Sequence, residues 1–161
     1  MLLDKNGEPA IFTHPCEEHF KGKPMSFECL HKFAVELLAL LFDKDGMEIQ
    51  RMEYKFGKEL PNLAIKSIND KIYYIAVSPG IYPNNSTEIN VNELSDMILI
   101  ANYNKAQAAV AEMGFYCFDS INPSQPIMGG KFSVKYDGLR YLNENKEIGI
   151  FNKLKELFKK Y

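Results

Sequence analysis

The sequence predicts a single α/β domain, a mixed sheet flanked by helices, and three stretches carry that expectation. Leu60 to Ser78, LPNLAIKSINDKIYYIAVS, reads as two strands joined by a tight turn. The segment beginning at Ser26 has the apolar spacing of a helix and stands before that hairpin. A second helical pattern starts at Val91 and leads into the apolar run Phe115 to Phe118. A helix between two strands of one sheet makes a crossover connection, so the order αβββαβ follows from pattern alone.

Ser26 is placed to cap the first helix, whose Phe27, Leu30, Ala34, Leu37, Leu38 and Leu41 paint one broad apolar face. Asp43-Lys44-Asp45-Gly46 ends it. The next segment, MEIQRMEYKF, alternates around Met52, Tyr54 and Phe56 and reads as a first strand broken by Gly57. In the hairpin, Leu63, Ile65 and Ile68 lead into Asn69-Asp70, a pair that tolerates positive φ. Ile72 to Val77 then form an almost unbroken β-branched and aromatic run, the mark of a strand buried on both faces, and Pro79-Gly80 is expected to stop it.

Asn90 or Asn92 caps a long second helix over about 91–113, with Leu94, Met97, Ile98, Ala101 and Ala108 in its apolar set. Gly114 stands where a left-handed residue would end it, and Ala106, Ala108, Ala109 and Ala111 would let it lie close to the sheet. The core so defined covers about 26–120, and about 126–161 reads as an addition to it within the same domain. Phe132, Val134 and Tyr136 alternate into Asp137-Gly138 and continue as Leu139 and Tyr141, which predicts a terminal hairpin. Ile150, Phe151, Leu154, Leu157 and Phe158 then fall on one face of an amphipathic C-terminal helix with a basic end.

A chain of 161 residues with 46% hydrophobic and 25% charged residues can bury an ordinary core without disulfides or metal. The opening MLLDKNGEPA has too few apolar residues for a secretory signal, and no run is long enough to cross a membrane, so the expected location is the cytoplasm. Cys16, Cys29 and Cys117 make an odd count without framework or iron-sulfur spacing, which suits a reducing compartment and an electron-carrier role not at all. The net charge of −2 lacks the positive field of a nucleic-acid binder. Of the 19 basic residues only Arg51 and Arg140 offer the bidentate grip that base reading favours, so a protein partner is expected instead.

The hairpin, set between a hydrophobic helix and a long one, resembles the central part of the PD-(D/E)XK nuclease superfamily, the restriction-endonuclease-like fold, over about 33–120. The resemblance implies an Asp, commonly after Pro, on the second core strand and a Glu-x-Lys on the third, which together hold a divalent metal and activate water. Here Pro61 is followed by Asn62, and Ala76-Val77-Ser78 stands where Glu-x-Lys would fall. Asn is a poor carboxylate substitute on a hard cation, and Ala and Ser supply neither charge nor base, so the implied site is degenerate. Glu36 matches the helical acid that many members carry, and Lys66 and Glu59 are the candidates for migrated partners. On this resemblance, Asn62→Asp, Ala76→Glu and Ser78→Lys together should make three side chains converge and bind magnesium.

His14, Cys16, His19, Cys29 and His31 offer zinc-ligating types within eighteen positions. Cys29 and His31 would project about 200° apart on a helix, so convergence would need distortion, and the simpler expectation is a buried Cys29 with surface histidines. Ser78 lacks a G-x-S-x-G elbow and an evident base, and Met128-Gly129-Gly130-Lys131 lacks the leading glycine and trailing Ser/Thr of a phosphate loop. Tyr73, Tyr74, Tyr103, Tyr116, Tyr136 and Tyr141 read as half-buried core, whereas Tyr82 in its polar loop and Lys66 on the hairpin are the candidate binding residues. The reading is a cofactor-free, non-catalytic binding or interaction module. Its rivals are a metal-dependent nuclease with a site relocated to Glu36 and Glu59, and a small zinc-stabilised domain.

Overall fold

A computed structural model describes residues 1–143, so the expected C-terminal helix lies outside the described residues. Helix α1 (Phe27–Lys44) begins as its sequence dictates, with the Ser26 hydroxyl accepting the Cys29 N–H at 3.1 Å. It is followed by an antiparallel meander of β2 (Glu48–Met52), β3 (Leu63–Lys66) and β4 (Ile72–Ile81), and β1 (Phe12–Thr13) precedes it. Helix α2 (Val91–Tyr103) then carries the chain across to β5 (Gln107–Cys117), which lies parallel to β4. Strands β6 (Lys131–Lys135) and β7 (Leu139–Tyr141) complete a sheet of order β1-β6-β5-β4-β3-β2, with β7 also on β5. The α/β class and mixed sheet are therefore as the sequence predicts.

The two helices divide the core. Leu30, Phe33, Leu37 and Leu38 of α1 pack on Leu63, Ile65, Ile75, Val77, Met113 and Phe115. Met97 and Ala101 of α2 cover Ala76, Ala108 and Val110 on the other face. The strands β4 and β5 are thus sandwiched, which is why both read as apolar runs. No helix among the described residues is long and apolar enough to cross a membrane.

Four boundaries differ from expectation, each for a physical reason. The first strand ends at Met52 rather than reaching Phe56, because Asn62 takes over the main chain of the next residues: its carbonyl accepts the Glu53 N–H and its amide donates to the Glu53 and Lys55 carbonyls. Helix α2 ends at Tyr103, ten residues early, in a Schellman turn: Ala106 N–H donates to the Ala101 carbonyl and Lys105 N–H to that of Asn102. Lys105, at φ 56°, fills the position where the sequence offered no glycine to mark it. The alanine run therefore belongs to β5, where Ala108 faces α2 and Ala111 faces α1, and small side chains let both helices approach.

Strand β4 also runs through Pro79-Gly80 to Ile81. Ile75 and Val77 bond toward the β3 side, through the Ile75 carbonyl to Asn62 N–H and the Val77 N–H to Asn62 Oδ1. By alternation the missing donor of Pro79 falls on that same side, where β3 has already ended, and costs no ladder bond. Finally, β6 and β7 do not form a hairpin. Both lie antiparallel to β5, β6 along Gly114–Cys117 and β7 along Ala109–Ala111, so Asp137-Gly138 is a jog in one line rather than a reversal.

Candidate functional site

Ala76 and Ser78 share a sheet face, as alternation along β4 requires, and that face is the one under α2, whereas Asn62 precedes β3 and turns its side chain to the edge of β4. Ala76 is fully buried under α2. Asn62, also fully buried, donates from Nδ2 to the carbonyls of Glu53 (3.1 Å) and Lys55 (2.9 Å) and accepts the Val77 N–H at 2.9 Å. Ser78 Oγ accepts the Thr87 N–H at 2.9 Å and donates to the Thr87 carbonyl. Each polar side chain is consumed in holding a loop. Glu36 stands on α1, over the opposite face, with Lys32 at 4.0 Å. The strand positions facing α1 include Leu63, Ile65, Ile75 and Val77, all fully buried and apolar. Glu59 pairs with Lys55 at 2.8 Å on the surface, and Lys66 pairs with Asp70 at 3.4 Å beside the β3–β4 turn. The structure brings neither glutamate to Asn62, Ala76 or Ser78.

The histidines are not scattered on the surface as expected. His14 is buried edge-on against Phe33 and accepts the Gly129 N–H at Nδ1, 3.0 Å. His31 is fully buried: Nδ1 donates to the Tyr54 carbonyl at 3.2 Å and Nε2 has no partner. His19 is exposed beside Glu17, and Cys29 is half-buried rather than buried. His14, Cys16, Cys29 and Glu36 line one cavity of about 270 Å³, yet no group of three His, Cys, Asp or Glu among the described residues is placed to hold a metal.

Burial holds the imidazoles of His14 and His31 below their ordinary value of 6.5, against an opposing pull on His14 from Glu36 and on His31 from the Tyr54 carbonyl. The unfolded chain then binds protons that the folded chain refuses. Their contribution to stability is complete above about pH 6.5 and is lost as pH falls toward the folded values. The urea midpoint should therefore drop between pH 7.5 and 5, and His31→Phe should shrink that drop.

Beyond Ala76 and Val110 the α2 side of the sheet has no helix over it among the described residues. Alternation turns Ser78, Gly80 and Tyr82 toward this open half, with Glu112, Gly114 and Tyr116 of β5 beside them and Ser133 and Lys135 of β6 beyond. Segment 84–87 crosses the paired glycines Gly80 and Gly114 so closely that a Cβ on Gly80 would sit 2.3 Å from the Ser86 nitrogen. Past that roof stand the aromatic rings. Tyr116 lies edge-on to Tyr82 at 5.0 Å and to Phe118 at 5.2 Å.

These groups line a cavity of about 540 Å³ with Asn85, Gly114 and Lys135. It sits at the carboxyl ends of the parallel strands, where open α/β sheets receive ligands. Its described lining contains no carboxylate, imidazole or thiol. A second depression of about 450 Å³ adjoins it through Asn85 and Lys135. Arg140 bounds that depression and bonds Glu112 at 2.8 Å, holding the Glu112 carboxyl below the usual range.

A family model described as a domain of unknown function (DUF8840) matches residues 28–142. The chain belongs to the DUF8840 family. No curated protein and no solved structure matches it significantly. The DUF8840 span holds α2, all of α1 but its first residue and all strands except β1, including every sheet residue of the open face, whereas His14 and Cys16 precede it. Of the candidate binding residues, Tyr82 belongs to the open face and Lys66 sits at the opposite end of β4. The sequence predicts Gly114 as a helix stop, Tyr116 and Phe118 in a short buried strand and Lys135 in a terminal hairpin, so none of the four stands out from it as a surface residue. The two-residue period Glu112, Gly114, Tyr116, Phe118, against Met113, Phe115, Cys117, was the signal for them.

Proposed function

We propose that this DUF8840 protein is a non-catalytic binding module on a degenerate restriction-endonuclease-like fold, and that the open half of its sheet engages a protein partner. The element order of helix, antiparallel meander, helix and parallel strand supports the kinship. The three positions that would carry the acids and lysine hold Asn62, Ala76 and Ser78, and none is free to take a metal. The observation that carries the binding role is the aromatic-walled cavity, with Tyr82 and Phe118 each 49% exposed at its rim. Apolar rings left uncovered beside a lysine are the anchors protein interfaces use.

Incubation of excess protein with supercoiled plasmid or single-stranded RNA, in magnesium or manganese, should give no cleavage. Cleavage abolished by Glu36→Ala would replace this reading with an enzyme whose acids have moved. Metal analysis of the purified protein should likewise find no stoichiometric zinc, and one zinc per chain would favour the metal-stabilised reading.

A further inference from the structure

We propose that the partner presents an aromatic side chain flanked by a carboxylate, the ring entering the Tyr82–Tyr116–Phe118 cavity and the carboxylate meeting Lys135. This deepens the binding reading above and rests on it. Lys135 stands at the junction of the two depressions and lines both. It has no carboxylate partner among the described residues, whereas its acidic neighbours are engaged: Glu112 by Arg140 at 2.8 Å and Asp137 by the N-terminal ammonium at 3.8 Å. Strand pairing sets Lys135 beside Gly114 and Ser133 beside Tyr116, and Phe118 N–H donates to the Lys131 carbonyl. A row of rings on β5 thus runs beside a row of lysines on β6, about 4.8 Å away. That spacing suits neighbouring side chains of one extended segment.

The charge balance selects among anions. Glu112 and Asp137 border the same face, and the chain carries a net charge of −2, so a polyphosphate backbone would meet carboxylates along its path. One carboxylate beside a ring meets only Lys135. A cationic ligand finds no carboxylate in the cavity and is repelled by the same ammonium.

The test uses four capped, fluorescein-labelled heptapeptides: Gly-Ser-Asp-Phe-Asp-Ser-Gly and its versions with Ala for Phe, with Asn for both Asp, and with Lys for both Asp. Fluorescence anisotropy should rank the Asp-Phe-Asp peptide tightest, with the Ala version at least tenfold weaker. Lys135→Gln should weaken the Asp-Phe-Asp peptide about two- to fivefold, the size of one half-exposed ion pair, and leave the Asn version unchanged. Tyr116→Ala should weaken every Phe peptide, and Tyr82→Ala, at an exposed position, repeats that test should Tyr116→Ala fail to fold. Equal affinity for the Asn and Asp peptides overturns the carboxylate while leaving the face as a binding surface. Binding that neither tyrosine variant changes overturns the face as well. No binding up to millimolar peptide, or tighter binding of an oligothymidylate than of any peptide, overturns the proposal.

Discussion

Gly80→Ala should be among the most damaging single substitutions in the chain, lowering stability by about 3 kcal/mol, the upper end of overpacking. The added methyl would lie 2.3 Å from the Ser86 nitrogen and 2.6 Å from the Asn84 carbonyl oxygen. Both are backbone atoms. They cannot swing aside, because Thr87 is held to Ser78 and Pro79 on the same stretch. Gly114→Ala makes the informative comparison. Its methyl would meet Asn85 Oδ1 at 3.0 Å, the Asn85 Cα at 3.1 Å and the Asn84 carbonyl oxygen at 3.4 Å, so the neighbours need give by only a few tenths of an ångström, and a loss of about 1 kcal/mol is expected. Chemical denaturation of both variants measures the difference. If the two cost the same, segment 84–87 is not seated on the glycine pair, and the roof of the cavity is lost from the description.

Asn62→Asp should cost about 3–5 kcal/mol, because two carbonyls lose their donor at roughly 1–3 kcal/mol each and a buried carboxylate then faces them. The native amide satisfies Glu53, Lys55 and Val77 at once, and no other group replaces it. The three-residue restoration of the nuclease pattern should therefore give unfolded protein rather than magnesium affinity. Ala76→Glu would put a second charge beneath α2, and Ser78→Lys would release Thr87. A folded Asn62→Asp variant with wild-type stability would show that the carboxylate is tolerated and would revive the metal-site reading.

How far the sequence could be read depended on whether each signal was local. Helix α1 was legible from Ser26 and its apolar spacing, and the β3–β4 hairpin from Asn69-Asp70, where Asp70 indeed takes φ 64°. The end of α2 was not, because its left-handed residue is Lys105 and the following alanines have the highest helix propensity. Tertiary packing overrode that preference: only small side chains fit a strand squeezed between two helices. Strand β7 was misplaced because nothing in Asp137-Gly138 distinguishes a reversal from a jog. Among the proposed binding residues, Tyr82 was visible as an aromatic in a polar loop. Tyr116, Phe118 and Lys135 form a surface only through the β5–β6 register, which is a property of the fold.

The most direct test of the open face is an amide shift map of the ¹⁵N-labelled chain with the Asp-Phe-Asp peptide. Shifts should concentrate in Tyr82, Asn84 and Asn85, Gly114 to Phe118 and Lys131 to Lys135, the continuous surface at the carboxyl ends of β4 and β5. Shifts centred instead on Glu36, Tyr54 and the α1 side of the sheet would contradict a binding role for this face and return attention to the acid on the first helix.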